Sequence, residues 1–216
     1  MNAFIEPLIL YAVLFFRISV GAMLSGEAAA NAVEFSAIAE TVRIFFYNIP
    51  SLALVWYLLL KVKSLREWNV TLPGKKDFIP AVLTLPALIL IGLTISIASR
   101  HFDEIPSGSR FLPPQDFFSW IILGISCFST AYLEESFFRF YLLSKRKEMG
   151  LGPHRAILVS VLSFSLCHIY EGPWGFLNAA LSGVVLAFIF LRFRSLHGIA
   201  FAHALYNVVV YALGAA

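Results

Sequence analysis

Charged residues are scarce in this chain, and their scarcity excludes most soluble classes of protein. Only 13% of the 216 residues are Asp, Glu, Lys or Arg, whereas a soluble domain carries about 25%. Because 59% of the residues are apolar, including 21 Phe, the composition is typical of a protein that spans a membrane several times. The net charge of +3 does not indicate nucleic-acid binding, since the basic residues cluster between apolar runs.

Cysteine is equally scarce, which excludes a disulfide framework. The two cysteines, Cys127 and Cys167, both lie within apolar segments, and no CxxC or metal-type cysteine spacing occurs. A cleavable signal peptide and a lipidation motif are also lacking, because the N-terminus has no basic region and neither end carries an acceptor sequence. We therefore expect the first apolar run to be a membrane span.

Seven apolar runs have the length of about 17–25 residues that a transmembrane helix needs. They predict an all-α polytopic membrane helix bundle that forms a single transmembrane domain over residues 1–216. An eighth helix hidden within residues 25–45 is the alternative. The predicted spans are roughly 3–24, 42–62, 78–99, 117–143, 154–170, 174–193 and 198–214.

The basic residues predict the orientation of these spans. Three connections, after the second, fourth and sixth spans, hold eleven of the sixteen Lys and Arg residues, so the positive-inside rule places them in the cytoplasm. The runs 61–76 and 145–155 are therefore read as topology determinants that also contact anionic lipid. The eleven are Lys61, Lys63, Arg66, Lys75, Lys76, Lys145, Arg146, Lys147, Arg155, Arg192 and Arg194.

Two adjacent glutamates, Glu134 and Glu135, interrupt the fourth apolar run, where each carboxylate costs a few kcal/mol in hydrocarbon. Glu135 and Arg139 are spaced i,i+4, so they share one helix face and form a favourably oriented pair. Glu134 is turned from Glu135 by about 100° and is available to another helix. Such an ionisable cluster indicates a functional site.

Two further spans carry strongly polar side chains. His168 lies in the fifth span, and His203 and Asn207 share one face of the seventh. At about 1.5 Å of rise per residue, Glu134 and His168 reach a similar depth, and we expect all three clusters to meet in one cavity. A buried carboxylate beside His can activate water, and a His–Asn pair can hold an oxyanion. This set predicts peptide hydrolysis by activated water.

The same residues form three motifs, in order, on separate apolar segments of about residues 115–210. The motifs resemble the signature of CAAX prenyl proteases and bacteriocin-processing enzymes. That group is the CPBP (Abi) family of intramembrane proteases, whose eukaryotic member is Ras-converting enzyme. The motifs are Glu-Glu-x-x-x-Arg (Glu134, Glu135, Arg139), Phe-x-x-x-His (Phe164, His168) and His-x-x-x-Asn (His203, Asn207).

The resemblance implies a role for each motif residue. Glu134 would be the general base, which activates water together with His168. His203 and Asn207 would form the oxyanion site. The supporting residues would be Glu135, Arg139 and Phe164.

A zinc-dependent version of the same protease is the alternative mechanism, with Glu134, His168 and His203 as ligands. Two His and one Glu meet the count for a catalytic zinc that also holds a water molecule. However, no His-Glu-x-x-His helix supplies ligands and base together. The glutamate mechanism without a cofactor is therefore favoured, and zinc stays open.

The resemblance also implies the substrate class, which is the CAAX-type C-terminal tail of a lipidated protein or a bacterial leader or anchor peptide. Membrane lipid is the second expected partner. The short chain and the short loops between its apolar runs favour the plasma membrane of a prokaryote as the location of the protein. A proton- or cation-coupled transporter is the rival function, although the paired helix breaks expected in two halves of a transporter are not evident. An inactive relative that acts as a membrane chaperone or immunity factor is a third interpretation.

Overall fold

The computed structural model describes residues 3–16, 19–21, 33–68, 70–102 and 111–213. Within these ranges the chain forms seven apolar helices of ten or more residues, which confirms the predicted all-α class. Two strands of two residues each, β1 (Val33–Glu34) and β2 (Phe111–Leu112), pair in parallel. The helices are α1 (Ile5–Phe16), α2 (Ala37–Val62), α3 (Lys75–His101), α4 (Phe117–Lys147), α5 (Pro153–Cys167), α6 (Ile169–Phe193) and α7 (Leu196–Leu213).

Five of the seven described helices are long and apolar enough to cross a membrane, namely α2, α3, α4, α6 and α7. The other two, α1 and α5, are apolar but shorter than a usual span. The predicted count of seven or eight spans is therefore not confirmed. Of the segment 25–45, which the alternative reading gave an eighth helix, residues 37–45 belong to α2, and residues 25–32 lie outside the described ranges.

Helix α4 begins at a side-chain cap and changes its winding at the glutamate pair. The Asp116 carboxylate accepts hydrogen bonds from the Ser119 hydroxyl at 2.6 Å and the Ser119 backbone N–H at 3.0 Å. These two bonds, the hydroxyl first, lower the pKa of the Asp116 carboxyl. After Glu134 the helix continues as a π-helical segment, Glu135–Tyr141, in which all seven side chains are buried. The wider winding of α4 therefore begins at the first motif.

A tight turn joins α5 to α6 and places His168 at the end of a helix. Helix α5 starts with Pro153, whose fixed backbone angle suits a first helical position. It ends at Cys167, earlier than the predicted span, because His168 (φ −102°, ψ 9°) leaves the helical conformation. A single 3₁₀ turn follows, and Gly172 then adopts a φ of 81°, a conformation that favours glycine.

Helix α7 lies against α3 and α4, and α6 lies against α3 and α5. Small residues allow α7 to approach α3 closely, as is common between membrane helices. A Cβ atom on Gly198 would lie 2.6 Å from the Asp77 carbonyl oxygen, and one on Gly92 would lie 2.6 Å from the Tyr206 hydroxyl. This packing brings α4, α5 and α7, which carry the three motifs, around one buried core.

Candidate active site

Glu135 and Arg139 form a fully buried ion pair on the π-helical segment of α4. The Arg139 Nε atom lies 3.2 Å from Glu135 Oε2, and both side chains have 0% exposure. A buried pair is costly to break, because removing one partner leaves the other charge uncompensated. The i,i+4 spacing thus produces the contact expected from the sequence, and the pair supplies balanced charge beneath the site.

His203 on α7 lies between the two adjacent glutamates of α4. Its Nδ1 atom is 2.9 Å from Glu135 Oε1, and its Nε2 atom is 3.7 Å from Glu134 Oε2. Because an ionised carboxylate can only accept, we assign a proton to Nδ1, and this N–H donates a hydrogen bond to Glu135. The Glu134 side chain, at 13% exposure, is the more accessible of the two carboxylates. Opposite nitrogens of one imidazole therefore face the two glutamates.

His168 is oriented by its own helix rather than by a motif carboxylate. Its Nδ1 atom lies 2.9 Å from the Phe164 carbonyl oxygen, so this nitrogen donates and Nε2 is the ring nitrogen left for another partner. Within the described ranges, His168 and Glu134 form no direct hydrogen bond, although they interact electrostatically. The two side chains that were expected to activate water are thus near one another, with no hydrogen bond between them.

The Phe164 ring contacts a member of every other motif. It lies 4.7 Å from the His168 ring and 5.9 Å from the His203 ring, measured between centroids. The Arg139 guanidinium carbon is 4.2 Å from the Phe164 ring centre. A desolvated guanidinium over an aromatic face is stabilised by about 2 kcal/mol. This contact compensates for Arg139 nitrogens that have no hydrogen-bond partner among the described residues.

Asn207 follows His203 by one turn of α7 and is half-buried. Its side-chain amide makes no hydrogen bond with another described residue, so the donor is available to a bound group. All seven predicted site residues are thus placed on α4, α5 and α7 or at the end of α5. Their catalytic and supporting roles stay predictions.

Glu171 is a third acidic residue near the site, and it belongs to none of the three motifs. It follows His168 by three residues, in the 3₁₀ turn that begins α6, and its carboxylate interacts electrostatically with both His168 and Glu134. The neighbouring Tyr170 side chain also interacts electrostatically with this carboxylate. The signal was present in the sequence as an acidic residue next to an apolar span, beside a motif histidine.

The zinc alternative depends on the donors that Glu134, His168 and His203 present. Among the described residues, no group of three or more His, Cys, Asp and Glu side chains is placed to hold a metal ion. However, His203 Nδ1 faces Glu135 and His168 Nδ1 faces a backbone carbonyl, and zinc-binding histidines that coordinate through Nε2 have the same contacts. The zinc alternative therefore stays open, and no step is derived through a metal.

Taken together, the apolar helices and the buried Glu–His–Arg cluster define an integral multi-pass membrane protein with a polar site inside its helix bundle. Residues 116–209 match the family model described as "Type II CAAX prenyl endopeptidase Rce1-like". The match covers somewhat less than half of the chain and includes all three motifs. The match supports the assignment to the CAAX protease (CPBP) family that the motifs predicted.

No curated protein sequence and no solved structure matches the chain. The matched family indicates, in general terms, a CAAX-type endopeptidase with a peptide or prenylated-protein substrate in the membrane.

Proposed function

We propose that the protein is an intramembrane endopeptidase in which Glu134 activates a water molecule for attack on a peptide carbonyl. The observation that carries the proposal is the position of His203 between Glu134 and Glu135. It leaves Glu134 as the more exposed carboxylate, next to an imidazole and free of the Arg139 ion pair. A general base must have access to the water that it deprotonates.

His168 supports the same water from the other side. With Nδ1 donating to the Phe164 carbonyl, Nε2 is an acceptor in the neutral ring and can receive a hydrogen bond from water. A single water molecule between His168 and Glu134 would be held by two acceptors, which is consistent with the lack of a direct hydrogen bond between these two described residues. Attack of this water on the carbonyl would then transfer its proton to Glu134.

The charges of the site favour an oxyanion at His203 and Asn207. If His203 is protonated on both nitrogens, its charge and that of Arg139 oppose the carboxylates of the site. Protonation of Glu134 during water attack removes one negative charge, and the oxyanion of the tetrahedral intermediate restores it, so the net charge of the site does not change. His203 Nε2–H and the Asn207 amide are the proposed donors to that oxygen.

The proposed substrate is the C-terminal tail of a CAAX-type protein or a leader or anchor peptide presented at the membrane. We further propose a prokaryotic plasma membrane as the location, because the loops between the apolar helices are short. The substrate assignment follows from the family resemblance.

The test is cleavage by purified full-length protein in detergent, with prenylated CAAX-tail peptides and leader-type peptides as substrates. Glu134→Gln preserves the shape of the side chain but removes the base, so we expect kcat to fall by about 10²–10⁴ with similar thermal unfolding. Glu148→Gln, an exposed carboxylate beyond the end of α4, is the matched control and should cleave like wild type. Undiminished cleavage by Glu134→Gln would overturn the mechanism.

Cleavage measured after treatment with a chelator distinguishes the glutamate mechanism from the zinc-dependent alternative. Under the glutamate mechanism, cleavage by wild-type protein continues after dialysis against EDTA. If cleavage is lost after EDTA treatment and returns when Zn²⁺ is added, the metal-dependent version is supported instead.

A further inference from the structure

A cavity of about 410 Å³ lies at the basic end of the helix bundle, apart from the Glu134 site. The ends of three helices line it: the turn that follows α2, the last turns of α4, and the end of α6. None of its lining residues belongs to the three motifs. This is also the end of the bundle where the basic loops predict the cytoplasm.

Four cationic side chains line the cavity, namely Lys63, Arg146, Lys147 and Arg194, against the single carboxylate of Glu67. Glu67 is already occupied within its own turn, since it accepts hydrogen bonds from the Ser64 backbone N–H at 2.8 Å and the Ser64 hydroxyl at 2.7 Å. In the described part of the chain, no carboxylate oxygen lies within 4.0 Å of any of the four cations. The cavity therefore has an unbalanced positive charge.

The backbone does not cancel this charge. Three helices end at the cavity, and each C-terminus contributes about half of a negative elementary charge. Together with Glu67 these partial charges remain smaller than the four formal positive charges. An anion that enters the cavity is therefore attracted.

Aromatic rings form the opposite wall. The Phe140 ring lies 5.5 Å from the Trp68 ring and 5.9 Å from the Phe190 ring, between centroids. Two of the cations stand over these rings, with Lys63 Nζ 5.2 Å from Trp68 and the Arg194 guanidinium carbon 5.8 Å from Phe190. Positive charges thus lie over an apolar surface. A ligand with a polar head and an apolar body could place its head at the cations and its body against the rings.

The end of α6 holds Arg194 in place. This residue adopts the left-handed conformation, with a φ of 53°, and its backbone N–H donates to the Phe190 carbonyl at 2.7 Å. A cation at a defined helix end, with a guanidinium that can bind two oxygens at once, is suited to a phosphate.

We propose that this cavity is a binding site for a phosphate group, supplied by the headgroup of an anionic lipid or by phosphate in solution. Basic pockets between transmembrane helices at the cytoplasmic side are a known form of site for anionic headgroups. The volume of the cavity lies within the range of small-molecule sites, and its aromatic wall faces the same space as the cations.

The test measures how much phosphatidylglycerol the full-length protein retains from detergent micelles that also contain phosphatidylcholine, by native mass spectrometry. The pocket variant Arg146→Gln/Arg194→Gln removes two lining charges. The control Arg155→Gln/Arg192→Gln removes two exposed arginines from the same connections, outside the cavity. We expect roughly 25-fold weaker retention in the pocket variant, from about fivefold for each charge, and less than threefold in the control.

Equal loss in the two double variants would overturn the proposal, because it would show only a general attraction to the basic face. Thermal unfolding of each variant without lipid checks folding, and Lys147→Gln, an exposed lining residue, serves as a second pocket variant if the double variant unfolds early. For Lys147→Gln we expect about fivefold weaker retention.

Competition with inorganic phosphate identifies the source. If millimolar phosphate displaces phosphatidylglycerol from wild type, the site takes phosphate from solution. If the lipid stays bound while phosphatidylcholine is excluded, the headgroup is the source. Equal retention of the two lipids by wild type would contradict a phosphate site with anion preference.

Discussion

Phe164 is the residue on which the three motifs converge. Its ring stacks on the Arg139 guanidinium and contacts both histidine rings, so one side chain connects α4, α5 and α7. The backbone carbonyl of the same residue also fixes the orientation of His168. A requirement for an aromatic ring here therefore has a physical basis beyond filling space.

We predict that Phe164→Leu lowers kcat/KM by about tenfold or more. Leucine keeps the position apolar but removes the cation–π contact, which is worth about 2 kcal/mol when the cation is desolvated, and removes the ring that supports His168 and His203. Peptide cleavage and thermal unfolding, measured side by side in detergent, separate the loss of activity from the loss of stability.

Phe137→Leu is the matched control, because Phe137 is equally buried on the neighbouring helix and has ring contacts with Phe15 and Tyr141 rather than with a histidine. It should destabilise the protein by a similar amount with a smaller effect on cleavage. Equal losses of cleavage in the two variants would contradict a specific role for the Phe164 ring.

The glutamate pair shows that helical spacing predicts contacts within one helix but not contacts between helices. The spacing of Glu135 and Arg139 predicts their contact, and the contact is present. That the imidazole of His203 lies between Glu134 and Glu135 depends on the position of α7, which no spacing within α4 encodes.

At the scale of elements, α4 is an α-helix up to Glu134 and a π-helix from Glu135 to Tyr141. Short π-helical insertions are rare and often occur at functional sites. In this case the change in winding falls between the two glutamates, so it affects the direction in which each carboxylate leaves the helix. All side chains of the segment are buried, because neighbouring helices surround it.

The close approach of α7 to α3 leads to a prediction about Gly198. A Cβ atom there would lie 2.6 Å from the Asp77 carbonyl oxygen and 2.8 Å from Pro80 Cγ, so Gly198→Ala forces the two helices apart. We expect a loss of about 1–3 kcal/mol in stability, seen as a lower temperature of unfolding in detergent.

Gly124→Ala on α4 is the control for this substitution, because a Cβ atom on Gly124 would meet no atom within 4 Å. Alanine should be neutral or stabilise that helix by up to about 1 kcal/mol. If the Gly198→Ala variant is as stable as the Gly124→Ala variant, α7 packs less tightly against α3 than these distances indicate.

At the scale of the whole molecule, helices outside the family-matched segment support the motif-bearing helix. Buried Asn48 on α2 donates to the Ser129 hydroxyl at 2.7 Å and the Thr130 hydroxyl at 3.0 Å, both on α4. Trp56 of α2 donates to the Ser136 hydroxyl at 3.1 Å, next to the glutamate pair. On α1, Glu6 accepts hydrogen bonds from Tyr141 and Lys145 of α4.

We predict that Asn48→Leu, which is similar in volume but cannot hydrogen-bond, weakens the contact between α2 and α4. A hydrogen bond between membrane helices contributes about 0.6–1.7 kcal/mol, so the protein should unfold at a lower temperature and α2 amides should exchange hydrogen faster. Thr94→Val is the control, because the exposed Thr94 hydroxyl donates only within its own helix, to the Leu90 carbonyl. Equal stability and exchange in both variants would contradict this bracing role.

The sequence by itself determined the all-α membrane class, the three motifs and the Glu135–Arg139 contact. Composition, hydropathy and helical spacing are local properties, so they can be read without coordinates. Tertiary structure alone decided which carboxylate faces which nitrogen of His203, where Phe164 touches the other motifs, and where α5 ends. It also brought the ends of α2, α4 and α6 together around a basic cavity, because packing between helices distant in sequence sets these contacts.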